Sequence, residues 1–214
     1  MNIIKLGNMD YKKSLEIQEH LLNLRQQALI DDCLIIVEHP PVLTIGRNGS
    51  ETNILAKQLI EKEGISVYEV NRGGDVTYHG TGQIVGYPIL DLKGYGSDIH
   101  DYVWRIQEIF IRMLYEQYGI TAYRDNKKYT GVWVGDEKIT AVGIAVKKWV
   151  TMHGFAFNVN TDLGHYKWIN PCGITDKGVT SLQKILGKPL DFDKVCDLVI
   201  QYFCEIFNSD PKYT

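Results

Sequence analysis

The order of strand-like and helix-like segments predicts an α+β fold, a mixed sheet with flanking helices, in a chain of 214 residues. Three observations carry this reading. Neighbouring strand-like runs follow one another through turn residues, most clearly GVWV and KITAVGIAV on either side of Gly135, Asp136 and Glu137. Three longer segments, residues 10–29, 101–119 and 191–207, carry apolar side chains at helical spacing. The helices do not alternate regularly with the strands, as a doubly wound sheet would require.

Taken in order, residues 3–6 read as a short edge strand. Asp10 is placed to cap a helix in which Leu15, Gln18, Leu21, Leu22 and Leu24 recur near helical spacing. CLIIVEH then reads as a buried strand, closed by Pro40 and Pro41, which have no N–H to give a ladder. VLTIGR is a second short strand ending at Gly46, and a helical turn follows over 54–62. ISVYEV, VTYH and IVGYPILDL alternate or run apolar as strands. The helix over 101–119, preceded by the short run 97–100, stops at Gly119. WVTMHGFAFNVN adds a strand after the hairpin, and a short helix over 181–186 precedes the amphipathic one at 191–207. No repeat, linker or low-complexity stretch divides the chain. Residues 1–214 are therefore expected to form one domain, with about 175–214 as a possible small C-terminal subdomain.

Composition narrows the classes of function. A hydrophobic content of 44% and a charged content of 23% are ordinary for a globular protein, and no window reaches the apolar length of a membrane span. The opening MNIIKLGNMDYKKSLE has neither the apolar core of a secretory signal nor the composition of a transit peptide. Cys33, Cys172, Cys196 and Cys204 form neither a CxxC pair nor a disulfide framework, so free thiols in the reducing cytoplasm are expected. A net charge of −3 argues against general nucleic-acid binding. Local basic clusters remain: Arg124, Lys127 and Lys128, then Lys147 and Lys148. Each is either a solvated face or a docking patch for an acidic carrier protein.

Two segments carry the chemistry. Residues 72–83 hold four glycines between strand-like runs, which calls for tight turning and close approach to a ligand. The segment lacks GxxxxGK[ST], and no helix opens after it, so it is neither a P-loop nor a dinucleotide fingerprint. By composition it is a glycine-rich β-turn; Arg72, Thr77, His79 and Gln83 on the same loop add a cation, hydroxyl, imidazole and amide for one polar ligand group. The second segment is Asn170, Pro171, Cys172, Gly173 and Ile174. Cys33, Cys196 and Cys204 sit in apolar stretches as small hydrophobes, whereas Cys172 lies between loop formers that let a thiolate protrude. A nucleophilic thiol needs a group to take its proton, and His79, His153, His165 and Lys138 are the candidates. Lys138 enters an apolar strand, where it either snorkels at an edge or acts as a desolvated base.

RGGDVTYHGTGQIVGYP, EKITAVGIAV, VTMHGFAFNVN and NPCGITDKGVTSL resemble, in order and spacing, four motif blocks of the lipoyl(octanoyl) transferases of lipoate biosynthesis. EHPPVLTIGR resembles a fifth, so the likeness runs from about residue 34 to residue 183. The resemblance implies the fold shared with biotin and lipoate protein ligases. It implies transfer of octanoyl from octanoyl-acyl carrier protein to a lysine of lipoyl domains, in 2-oxoacid dehydrogenases or the glycine-cleavage carrier protein, with no cofactor. Cys172 falls on the family's acyl-thioester cysteine and Lys138 on its partner lysine. Arg72, Gly73, Gly74, Asp75, Val76, Thr77, Tyr78 and His79 fall on its substrate-binding segment. Ala141, Val142 and Gly143, with Gly154, Phe155 and Ala156, fall on two stretches that line the acyl site, and Val142 stands where isoleucine is common. The rival readings are an ATP-dependent ligase on the same fold, an amidotransferase acting between lipoyl domains, a thiol hydrolase and a non-catalytic acyl-carrier binder. Each differs in its need for ATP, its donor, its acceptor or the covalent labelling of Cys172.

Overall fold

The computed structural model describes residues 1–125, 130–169 and 177–213. Its strands are β1 (Asn2–Asn8), β2 (Cys33–Glu38), β3 (Val42–Ile45), β4 (Ser66–Glu69), β5 (Val76–His79) and β6 (Gln83–Ile89) in the first half. The second half adds β7 (Tyr123–Arg124), β8 (Gly131–Val134), β9 (Glu137–Lys147), β10 (Val150–Asn158), β11 (Gly178–Val179) and β12 (Lys212–Tyr213). The helices are α1 (Tyr11–Gln26), α2 (Lys57–Lys62), α3 (Ile99–Tyr118), α4 (Leu182–Leu186) and α5 (Phe192–Ile206).

Among the described residues the strands form two sheets. The larger runs β12-β1-β2-β6-β10-β9-β8-β7, with β11 also pairing β9, and the smaller runs β4-β3-β5. Pairing is mixed, as expected for the fold class: β1 is parallel to both β2 and β12, while β2, β6, β10, β9 and β8 pair antiparallel in turn. The hairpin read from sequence is β8–β9, with Val134 opposite Glu137 and Gly135 at φ +55° in the turn.

Helix ends follow their side chains. The Asp10 carboxylate accepts from Lys13 N at 3.1 Å at the start of α1, as its position predicts. The long helix α3 begins at Ile99, two residues before the expected start. Asp98, the residue just ahead, accepts from the N–H groups of His100 and Asp101 and fixes the end there. Buried Tyr102, Ile106, Phe110 and Met113 then recur at helical spacing and pack α3 against α5 and one face of the large sheet. Helix α1 and the small sheet cover the opposite face, through Tyr11, Leu22, Val42 and Tyr68.

The other departures from expectation concern very short strands. The segment expected as an edge, 3–6, is the inner strand β1, because β12 pairs beyond it. β7, β11 and β12 have two residues each, too few to show a period of two in sequence. No described helix is long and apolar enough to cross a membrane.

Candidate functional site

A cavity of about 740 Å³ opens between the small sheet, the β9–β10–β6 part of the large sheet and the first turns of α3. One wall is the glycine-rich loop. Arg72 is buried, and its guanidinium ties that loop to β3. Nη2 donates to Thr44 O at 2.7 Å, to Thr44 Oγ1 at 2.8 Å and to Asp75 O at 2.7 Å, and Nη1 donates to Gly73 O at 2.9 Å. Asp75 is likewise engaged within the fold, accepting from Val76 N at 2.6 Å and Asn53 Nδ2 at 2.7 Å. The loop lies directly on β9, where Gly73 N donates to Ile144 O at 2.8 Å. Gly143 permits this approach, since a Cβ there would stand 2.9 Å from Gly73 O. Gly154 plays the same part on β10, where a Cβ would meet Gly86 O at 2.2 Å.

The cavity gathers nearly all the residues that sequence reasoning singled out. Arg72, Gly73, Gly74, Asp75 and Val76 line it, as do Thr77 and His79. So do Ala141, Val142 and Gly143 from β9, and Gly154, Phe155 and Ala156 from β10. Tyr78 does not: it is buried behind the wall, where its ring stacks on His165 with centroids 4.9 Å apart. Cys172 lies outside the described residues, as do Lys127 and Lys128.

Lys138 lines the cavity. It is not at a sheet edge, because β9 is paired by β8, β10 and β11. Its ammonium donates to Thr130 O at 3.3 Å and stands 4.9 Å from the Trp133 ring centre. Lys177 Nζ is 4.8 Å from the same ring centre. β11 runs beside Lys138, with Val179 opposite it and Thr180 N donating to Lys138 O at 3.0 Å. The chain that follows the Cys172 block is thus hydrogen-bonded to the lysine's own strand.

The three candidate histidines differ sharply. His79 and His153 are buried, and burial first, then neighbouring His39 and Arg72 for one and Arg72 and Arg47 for the other, lower their pKa to about 3. Both are neutral at physiological pH and too weakly basic to take a thiol proton. His165 is occupied in stacking, 4.9 Å from Tyr78 and 4.6 Å from Trp168 between ring centres. Of the four candidates, Lys138 and the two buried histidines line the cavity, whereas His165 does not. The remaining cysteines behave as core residues. Burial pushes the thiols of Cys33 and Cys196 up to about 12 and raises that of Cys204.

The cavity rim includes residues that sequence reasoning missed. Ile99, His100, Val103 and Trp104 from α3 line it, and Ile99 and Trp104 are exposed large apolar side chains. Arg124, paired with Glu108, lies 4.5 Å from the Trp104 ring centre at this rim. Helical periodicity marked the buried stripe of α3 but carried no signal for the face that meets the cavity. Lys147 and Lys148 lie at the far end of β9, nine residues from Lys138, a strand length of roughly 30 Å at the usual rise.

Comparison with known proteins agrees with this geometry. The lipoyl protein ligase A/B catalytic domain family matches residues 10–204. An octanoyltransferase of Desulforamulus reducens is 56% identical over 98% of this chain and 92% of its own length. One from Caldicellulosiruptor saccharolyticus is 55% identical over 100% of this chain and 91% of its own. Among solved structures, a bipartite lipoate protein ligase from Thermoplasma acidophilum superposes with a TM-score of 0.74 at 17% identity, over 100% of this chain and 86% of the other. Biotin protein ligase from Aquifex aeolicus gives 0.61 at 16% identity, over 97% and 70%. The solved structures share the fold, and the sequence match extends through every segment that lines the cavity: the chain belongs to the lipoyl protein ligase A/B catalytic domain family.

Proposed function

We propose that this chain transfers octanoyl through a thioester on Cys172, with Lys138 as the base. Octanoyl transfer in protein lipoylation is the activity of the chain, and it is an acyltransferase. The donor is octanoyl-acyl carrier protein, and the acceptor is a lysine of a lipoyl domain in a 2-oxoacid dehydrogenase or of the glycine-cleavage carrier. Lys138 takes the Cys172 proton, and the thiolate attacks the donor carbonyl. The carrier thiolate leaves and recovers the proton from Lys138. The acceptor lysine, as free amine, then attacks the acyl-enzyme. Lys138, neutral again, takes the surplus proton from the attacking nitrogen and gives it to the departing Cys172 sulfur, and an amide remains. Donor and intermediate are both thioesters, so the first transfer is nearly neutral in energy and the amide makes the second downhill. ATP has no part in it. The reaction is assigned to the cytoplasm, where the buried free thiols of Cys33, Cys196 and Cys204 stay reduced.

The observation that supports this reading is one cavity holding Lys138, the β9 and β10 stretches and the Arg72 loop, with β11 leading away from the Cys172 block at Lys138's side. The apolar walls Ala141, Val142, Phe155 and Ala156 suit a hydrocarbon chain. Intact mass spectrometry after mixing the protein with octanoyl-acyl carrier protein, without ATP, tests it. One added octanoyl group, labile to hydroxylamine and absent in Cys172→Ala, is the expected result. An unmodified protein beside an intact donor would refute the thioester. One solved neighbour is a lipoate-protein ligase bound with ATP, so an ATP-dependent reaction is the second reading, and restoration of acyl transfer by ATP alone would favour it.

A further inference from the structure

The inner wall of the cavity is polar, which a saturated eight-carbon chain does not require. Four residues in sequence fix the protonation of His79. Asn158 Nδ2 donates to the Thr180 carbonyl at 3.0 Å, which leaves Asn158 Oδ1 to accept from Gln83 Nε2 at 2.9 Å. Gln83 Nε2 also donates to Tyr78 O at 3.2 Å, so its amide orientation is set by a backbone carbonyl. Gln83 Oε1 must therefore accept from His79 Nδ1–H, at 2.8 Å. His79 Nε2 is left as a bare lone pair, with no hydrogen bond among the described residues, on a side chain that lines the cavity.

His153 supplies a second, independent acceptor. Its Nε2 is paired with Asn71 Oδ1 at 2.6 Å, as a donor, and its Nδ1 is buried without a partner among the described residues. The residue is 1% exposed, lines the cavity and is held at φ +56° in the left-handed region. A non-glycine residue there stores strain, and such strain gathers at ligand sites. Of the two, His79 Nε2 is the acceptor that a ligand in the cavity can reach, and it suits one that brings a hydrogen-bond donor.

We propose that this wall is a subsite for a hydroxyl at the far end of the acyl chain, so that the protein takes ω-hydroxylated medium-chain acyl groups as well as octanoyl. The placement rests on the activity assigned above, which sets the thioester end beside Lys138. Gln83 lies two strands across the sheet from β9, roughly 10 Å at the usual strand spacing. An extended eight-carbon acyl chain, at ordinary bond lengths, spans roughly 9 Å from carbonyl to last carbon. A hydroxyl on that carbon reaches the His79 side of the wall, donates to Nε2 and keeps water as neighbour for its own lone pairs.

Calorimetric binding of 8-hydroxyoctanoate and octanoate to the protein, followed by transfer of the two acyl groups from their pantetheine thioesters to a lipoyl domain, tests this. The hydroxylated acid should bind within about threefold of octanoate or more tightly. His79→Phe, which keeps an aromatic ring beside Tyr11 but removes the lone pair, should weaken it at least tenfold relative to octanoate. His79→Leu, which also removes the lone pair, is the second variant should the first fail to fold. Discrimination against the hydroxyl of thirtyfold or more in the unaltered protein would overturn the subsite. A hydroxyoctanoate-to-octanoate ratio unchanged in a folded variant would do the same and would leave only ordered water at the wall. Binding that depends on His79 without any transfer of octanoyl would uphold the subsite and instead sink the assigned activity.

Discussion

Gly154 shows how a single missing side chain shapes this site. Its Cα faces the β6 backbone so closely that a methyl group would sit 2.2 Å from Gly86 O and 2.6 Å from Pro88 Cδ. The obstacle is backbone in the middle of the sheet and cannot swing aside. Gly154→Ala should therefore destabilise the protein by about 2 kcal/mol or more, the upper part of the overpacking range. A denaturation midpoint unchanged from the parent would show that β6 and β10 can move apart. At this scale sequence was most informative where chemistry is local. The run Pro171, Cys172 and Gly173 and the lysine at the start of KITAVGIAV stand out as residue types in unusual company. It was least informative for Tyr78, which shares the loop with His79 yet alternates to the side away from the cavity. His153 was noticed only as a possible base. Its burial, left-handed backbone and bare nitrogen depend on residues far away in the chain.

At the scale of elements, α3 links core and site. Its buried stripe anchors it to the large sheet and α5, while its first turns form the cavity rim. The Asp98 carboxylate holds that end by accepting two backbone N–H bonds, at 2.7 Å from His100 and 3.2 Å from Asp101. Asp98→Ala should fray the turn carrying Ile99 and His100 and lower Tm by about 2–4 °C, as loss of an N-cap does in a domain of this size. A calorimetric scan that superposes on the parent's would contradict it. The same helix explains why element boundaries were only partly legible. Periodicity located the packed stripe from Asp101 onward, but the start two residues earlier is decided by which acid turns its carboxylate inward, and both Asp98 and Asp101 were available. The β8–β9 hairpin was legible throughout because its turn residues and its alternation reinforce each other. β11 has neither, and its place beside Lys138 comes from pairing across some forty residues of chain.

At the scale of the molecule, the buried histidines couple folding to pH. His79 and His153 have folded pKa values near 3, against about 6.5 in an unfolded chain. Between those values the unfolded chain binds protons that the folded one excludes. Their contribution to stability is therefore complete above about pH 6.5 and is lost as pH falls below it. Each histidine should remove about 1.4 kcal/mol per pH unit in that window. Urea unfolding at pH 7.5, 6.5 and 5.5 should give a small loss of stability at the second and a clear further drop at the third, before most carboxylates titrate. A flat series down to pH 5.5 would mean that the cluster opens or accepts charge in place. The fold class was legible because the mixed order of long elements is a global pattern. The second sheet was not, since β3, β4 and β5 read as ordinary members of one sheet until Arg72 and Tyr68 bind them over the face that α1 also covers.

The pairing of β12 with β1 has a topological consequence. Lys212 N donates to Met1 O at 2.9 Å, and the amino group of Met1 donates to Asp210 O at 3.0 Å. Two segments far apart in the chain are thus stitched side by side, and β12 closes the outer side of β1. Without residues 210–213, β1 would stand at the rim of the large sheet with its outward N–H and C=O groups bare, an open edge on which a second chain can add a strand, so β12 acts as a guard against association.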